Sequence, residues 1–192
     1  MSPRFAVLAV ALAAALTGTA HADTITPISP DNTWYEFDVT DLAPTLGWVD
    51  LDNSPLSFTF TNSSTVALTV VDGGFGGDRY QVFDNGASLG LTSPGTNTYD
   101  PSGGSYVTDF DAALADSRYS SAIFYLAAGT HVITGLLSES ALADGEPLNN
   151  SVGGLRLAPV PLPATALLLL SGGGLMSLFR RRRPQAGALA SA

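Results

Sequence analysis

Between residues 34 and 159 the chain alternates short apolar runs with polar, glycine-rich joints. Residues 56–62 show the pattern most clearly, with Leu56, Phe58 and Phe60 set against Ser57, Thr59 and Thr61. A period of two sends successive side chains to opposite faces, so this segment predicts a strand with one buried and one wet face. Residues 34–39, 66–72, 79–85, 121–127, 131–137 and 154–159 are equally short and rich in β-branched and aromatic residues. Such residues pack well on a pleated surface. Asn85-Gly86 falls between two of these runs and reads as a type I′ hairpin turn, in which both central residues take positive φ. "NSST" at 62–65 and "AAGT" at 127–130 are further turns.

One short helix is predicted in "DFDAALADSRY", with Asp109 or Asp111 as N-cap. Residues 92–106 have no periodicity and read as a surface loop or crossover. Seven to nine short strands at this spacing predict an all-β fold: a single antiparallel β-sandwich of jelly-roll type over residues 23–159.

The ends follow a different pattern. Arg4, an apolar stretch from Phe5 to Leu16 and the small-residue sequence Ala20, His21, Ala22 have the layout of a secretory signal peptide over residues 1–22, cut before Asp23. That implies passage through the Sec translocon and cleavage by signal peptidase. Near the other end, residues 164–179 form an apolar run of about 24 Å as a helix, short against a hydrocarbon core of about 30 Å. Gly172, Gly173 and Gly174 weaken it further. Arg180, Arg181, Arg182 and Arg183 then hold the cytoplasmic side, leaving residues 23–160 across the membrane and 184–192 as a cytoplasmic tail. Both signals give one orientation.

Setting the ends apart changes the charge. Residues 23–159 keep three arginines (Arg79, Arg118, Arg156) against all 17 acidic groups, a net charge of −14, and the chain has no lysine. Such a surface repels phosphate backbones and argues against nucleic acid as a partner. With no cysteine, the domain has neither disulfides nor thiolate metal sites, and its stability rests on a hydrophobic core.

The order Val160, Pro161, Leu162, Pro163, Ala164, then a short glycine-containing apolar helix, then an arginine cluster resembles the PEP-CTERM class of sorting signals in its VPLPA variant. Leu162 stands where the commoner motif has glutamate. The resemblance implies that residues 160–183 are a sorting signal read by an exosortase-type membrane enzyme of Gram-negative bacteria. The protein would insert transiently in the inner membrane, be cleaved near the proline motif, and pass to the cell surface or extracellular matrix, often beside exopolysaccharide. The parallel is a lipid-anchor signal whose hydrophobic tail is also removed. Residues 77–93, 109–137 and 155–157 together resemble a recurring type of secreted bacterial domain, which implies a jelly roll similar to carbohydrate-binding modules.

Candidate chemistry is sparse. His131 is the one histidine left after signal removal, too few for an HExxH zinc site, and no GxSxG elbow supports a serine nucleophile. It reads as a half-buried strand residue bonded to a turn. "DGGFGGD" at 72–78 fits no phosphate-binding register and reads as a turn between strands.

Half of the aspartates adjoin glycine, asparagine or proline, where they cap turns and stay hydrated. The alternative is a structural Ca²⁺ ion, for which Asp72 and Asp78 are the preferred ligands, since the glycines between them let backbone carbonyls turn inward. "DLDN" offers a second set in Asp50, Asp52 and Asn53. Among the aromatics, Trp34 and Trp48 read as core, while Tyr99 and Tyr106, in a polar loop, are candidate sugar-stacking rings. The expected function is a non-enzymatic, carbohydrate-binding or adhesive matrix protein. The alternatives are a polysaccharide hydrolase using an aspartate pair, and a purely structural surface protein.

Overall fold

The regular alternation at 56–62 becomes strand β3 (Leu56–Asn62), whose inward Leu56, Phe58 and Phe60 are all buried. The computed structural model describes residues 23–43, 45–102 and 106–161. The predicted signal peptide, with Ala20 and Ala22, lies outside the described residues, as do Leu162, Pro163, Ala164 and Arg180 to Arg183. Asp23, Val160 and Pro161 are described and sit at the two ends of the folded chain. Among the described residues no helix is long and apolar enough to cross a membrane.

The other elements are β1 (Thr24–Pro27), β2 (Trp34–Val39), β4 (Val66–Asp72), β5 (Arg79–Asp84), β6 (Ala87–Leu91), α1 (Phe110–Ala115), β7 (Ser121–Leu126), β8 (Gly129–Glu139), β9 (Leu142–Ala143), β10 (Glu146–Pro147) and β11 (Ser151–Pro159). They form a five-stranded sheet in the order β1-β3-β8-β5-β6 and a four-stranded sheet in the order β2-β11-β4-β7, with β9 and β10 as a small separate hairpin. From β2 to β5 each strand lies in the sheet opposite its predecessor.

Most pairings are antiparallel, as the short turns require, but β1 runs parallel to β3, so the five-stranded sheet is mixed at its edge. Residues 24–27 are too short and too lacking in pattern to predict a strand. Their pairing is fixed by contact with a segment about thirty residues away, with Thr24 opposite Leu56. The hairpin at Asn85-Gly86 forms as expected, with φ of 49° and 78°.

The core fills the space between the sheets. Trp48, only 2% exposed, stacks on Phe37 at 4.0 Å between ring centroids and meets Phe58 and Tyr80 edge-on. The indole fits because residue 135 is glycine: a Cβ there would overlap its ring. A second, smaller cluster lies outside the four-stranded sheet, where Phe110 of α1 covers Val71 and Gly154. Asp109 is the N-cap, accepting hydrogen bonds from Asp111 N and Ala112 N. Trp34 joins this second cluster only partly buried, 5.6 Å from Phe110 and beneath the Arg156 guanidinium. Expected in the core, it is instead a cover for the outer face.

Candidate functional site

The joint after β4 organises one end of the sandwich. Asp72 closes the strand with a fully buried side chain, and "GGFGG" wraps around it. One carboxylate oxygen accepts from Gly77 N and Asp78 N, both at 3.2 Å, and the other accepts from the Tyr80 hydroxyl at 3.3 Å. The same hydroxyl contacts Ser151 Oγ at the start of β11. Burial, reinforced by the neighbouring charge of Asp78, pushes Asp72 up to about 9. Asp78 is also buried and accepts from Ala141 N at 2.7 Å, and burial raises it too. The two preferred calcium ligands therefore lie side by side, but with the Asp72 oxygens already committed to the loop. Among the described residues no group of three or more histidine, aspartate or glutamate side chains is arranged to hold a metal ion.

The second half of this joint positions an aromatic cluster. Gly74, at φ +64°, exchanges two backbone hydrogen bonds with Val107, of 2.7 and 2.8 Å, which brings the adjacent Tyr106 against the strand end. A Cβ on residue 74 would stand 3.1 Å from the Tyr106 ring. Phe75 meets Tyr106 edge-on at 5.2 Å on one side and Tyr99 at 5.1 Å on the other. Tyr106 is 53% exposed and Tyr99 half-buried, so the two candidate rings differ: Tyr106 offers a free face, and Tyr99 supports Phe75 from behind.

Tyr106 forms one wall of an open cavity of about 400 Å³, lined also by Asp38, Asp50, Asn53, Phe75 and Ser151. Five separate segments meet there: the end of β2, the 50–53 turn, the joint after β4, the 92–106 loop, and the start of β11. Asp78 reaches the same cavity. The 50–53 turn follows the capping chemistry expected of it. Asp50 accepts from Leu51 N, Asp52 accepts from Ser54 N, and Asn53 sits at φ 63°.

Asp38 is half-buried, and its carboxyl is raised first by burial and then by the charges of Glu36 and Asp50. Tyr106 is raised by burial, then by Asp38 and Glu36. The arginines that could relieve this field are engaged elsewhere: Arg79 with Glu139, Arg118 with Asp116, and Arg156 with Asp111. The cavity is therefore acidic and hydrogen-bonding, with one aromatic wall.

His131 lies away from this site. Its Nδ1 is 2.8 Å from Asp84 and its Nε2 3.1 Å from the Ala127 carbonyl in the turn before β8, and its ring stacks on Phe60. It is a structural clasp, in line with the turn-bonding role read from its position. Of the cavity residues, Asp38, Phe75 and Ser151 were not singled out from sequence. Phe75 is the one large apolar residue in a glycine-rich joint, and that oddity was the signal available.

No family model and no curated protein matches the chain. Among solved structures, it is similar to the pre-peptidase C-terminal domain of a collagenase from Bacillus anthracis, at 10% identity and a TM-score of 0.39, covering 71% of this chain and 97% of that one. It is also similar to PliG of Aeromonas hydrophila, a periplasmic inhibitor of g-type lysozyme, at 14% identity and a TM-score of 0.29, covering 71% and 98%.

Proposed function

We propose that this is an exported, non-enzymatic carbohydrate-binding protein of the cell surface or extracellular matrix, with the cavity beside Tyr106 as its binding site. The observation that carries this reading is the pairing of a half-exposed tyrosine face with several hydrogen-bonding side chains around about 400 Å³. A pyranose presents an apolar C–H face suited to an aromatic ring and a rim of hydroxyls suited to carboxylate and amide oxygens. Asp38, Asp50 and Asn53 supply those acceptors, and the Phe75 edge fixes the orientation of Tyr106.

The domain is a jelly roll in this reading. Support comes from the strand order, in which β3-β8-β5-β6 and β2-β11-β4-β7 face each other and successive strands cross between them. Sorting is the second part of the proposal. Signal peptidase releases Asp23, and an exosortase acts on residues 160–164 after transient membrane insertion. Supporting it is the position of Val160 and Pro161, at the outer end of the last strand and clear of the core.

Binding is tested on a glycan array that includes the producing cell's exopolysaccharide. Tyr106→Ala should lose binding with little change in melting temperature, while Tyr99→Ala should weaken it less. Unchanged binding in Tyr106→Ala would remove the site assignment, and turnover of the polysaccharide would replace binding with hydrolysis. Intact mass of the protein from the cell surface tests sorting: a chain ending near Pro163 or Ala164 supports it, and one retaining Arg180 to Arg183 refutes it.

A further inference from the structure

We propose that the ligand of the Tyr106 cavity is an amino sugar carrying a free ammonium group, a de-N-acetylated hexosamine chain and not a neutral or acidic glycan. This rests on the carbohydrate-binding reading above and narrows it to a substrate class. Three carboxylates, Asp38, Asp50 and Asp78, line the cavity, and among the described residues no arginine does. Every arginine of the described chain is held in an ion pair elsewhere, and the chain has no lysine to take its place. An anionic glycan entering this space would meet unrelieved negative charge, and like charges brought together cost affinity.

A cation would be favoured, and the geometry separates the two kinds. No three acidic side chains converge tightly enough to chelate an ion among the described residues, and Asp38, Asp50 and Asp78 reach the cavity from three separate segments, the end of β2, the 50–53 turn and the joint after β4. Spread charge suits ammonium groups distributed along a polymer better than a single metal ion. The free face of Tyr106 adds a second attraction, because an aromatic face stabilises an adjacent cation as well as a sugar's C–H face. The cavity, the ring and the charge thus select one chemistry: a pyranose with an amine on it.

The test measures binding of the purified protein to three probes: a β-1,4-linked glucosamine hexamer, the N-acetylglucosamine hexamer, and hexalysine. The glucosamine hexamer should bind at least about tenfold more tightly than the acetylated one, with the preference weakening as salt rises. Asp38→Asn with Asp50→Asn should abolish the preference. The Asp50→Asn single variant, whose side-chain oxygen can still cap Leu51, gives the same test with the fold intact. Tyr106→Ala should lose binding without any change of charge, and Asp31→Asn, in the turn beside the far end of β11 where the side-chain oxygen can still cap Thr33, should leave it intact.

Equal binding of both hexamers, unaffected by the Asn variants, would overturn the amino-sugar assignment and leave the carbohydrate reading standing. Hexalysine binding as tightly as the glucosamine hexamer would overturn it in favour of charge alone. Failure of every glycan to bind would overturn the assignment and the carbohydrate reading together.

Discussion

Replacing Asp72 with asparagine should stabilise the protein at neutral pH and flatten its dependence on pH. The folded-state carboxyl is raised from 3.8 to about 9, chiefly by burial. At pH 7 the unfolded chain has this group ionised while the folded chain holds a proton on it, so folding must take up that proton. The cost over the interval from 3.8 to 7 is about 4 kcal/mol, at a little over 1 kcal/mol per pH unit. The sign follows from the raised value. The favourable contribution is fully present below pH 4 and is lost as pH rises toward 9, so this group makes the protein more stable at pH 5 than at pH 8.

Asparagine can reproduce the protonated pattern without taking up a proton. Its oxygen would accept from Gly77 N and Asp78 N, and its amide would donate to the Tyr80 hydroxyl, which can donate in turn to Ser151 Oγ. The assay is urea unfolding of the wild type and Asp72→Asn across pH 5 to 8 in chelator-treated buffer. Up to about 4 kcal/mol of gain at pH 7, shrinking toward pH 5, is the expected result. A loss of stability at pH 7, or an unchanged slope, would show that Asp72 is ionised in the fold and refute the argument. If calcium stabilised the wild type but not the variant, a metal ion and not a proton would be the partner of the Asp72–Asp78 pair.

Three further substitutions probe the frame around the site. Gly135→Ala should destabilise by about 1–3 kcal/mol or more, because its methyl group would overlap the Trp48 indole; a shifted urea midpoint with altered tryptophan fluorescence would report it. Asp109→Ala should cost about 1 kcal/mol by freeing two amides at the start of α1, seen as a lower melting temperature with the same m-value. His131→Leu should cost on the order of 3 kcal/mol, since it strands the Asp84 carboxylate, and adding Asp84→Asn should recover part of the loss in a double-mutant cycle.

What the sequence made legible was local. Period-two alternation placed Leu56, Phe58 and Phe60 on one buried face, Asn85-Gly86 set its own turn by requiring positive φ twice, and Asp109 capped its helix two residues away. Each of these is decided by chemistry within a few residues. The parallel edge strand β1 was hidden because its pairing comes from β3 and not from its own composition. Size alone points Trp34 to the core, whereas the presence of α1 and Arg156 outside the sheet gives it an outer surface to cover. The cavity was legible only as scattered parts. Residue type alone marks Tyr106, Asp50, Asn53 and Asp78 as candidates, but their meeting depends on sheet topology, which joins segments far apart in the chain.

The direction of β11 has a mechanical consequence. The strand begins at Ser151 beside the cavity and ends at Pro159, where Val160 N reaches back to the Thr65 carbonyl. Its nine residues span about 30 Å, so a ligand in the cavity and a hold on the chain beyond Pro161 lie at opposite poles. Tension between them would run along β11 itself. That strand is the interior one between β2 and β4, paired in register on both sides. Its hydrogen bonds lie across the line of pull, so they load together in shear instead of peeling one after another. A domain wired this way would resist being torn apart by tension applied between the cavity and the chain beyond Pro159.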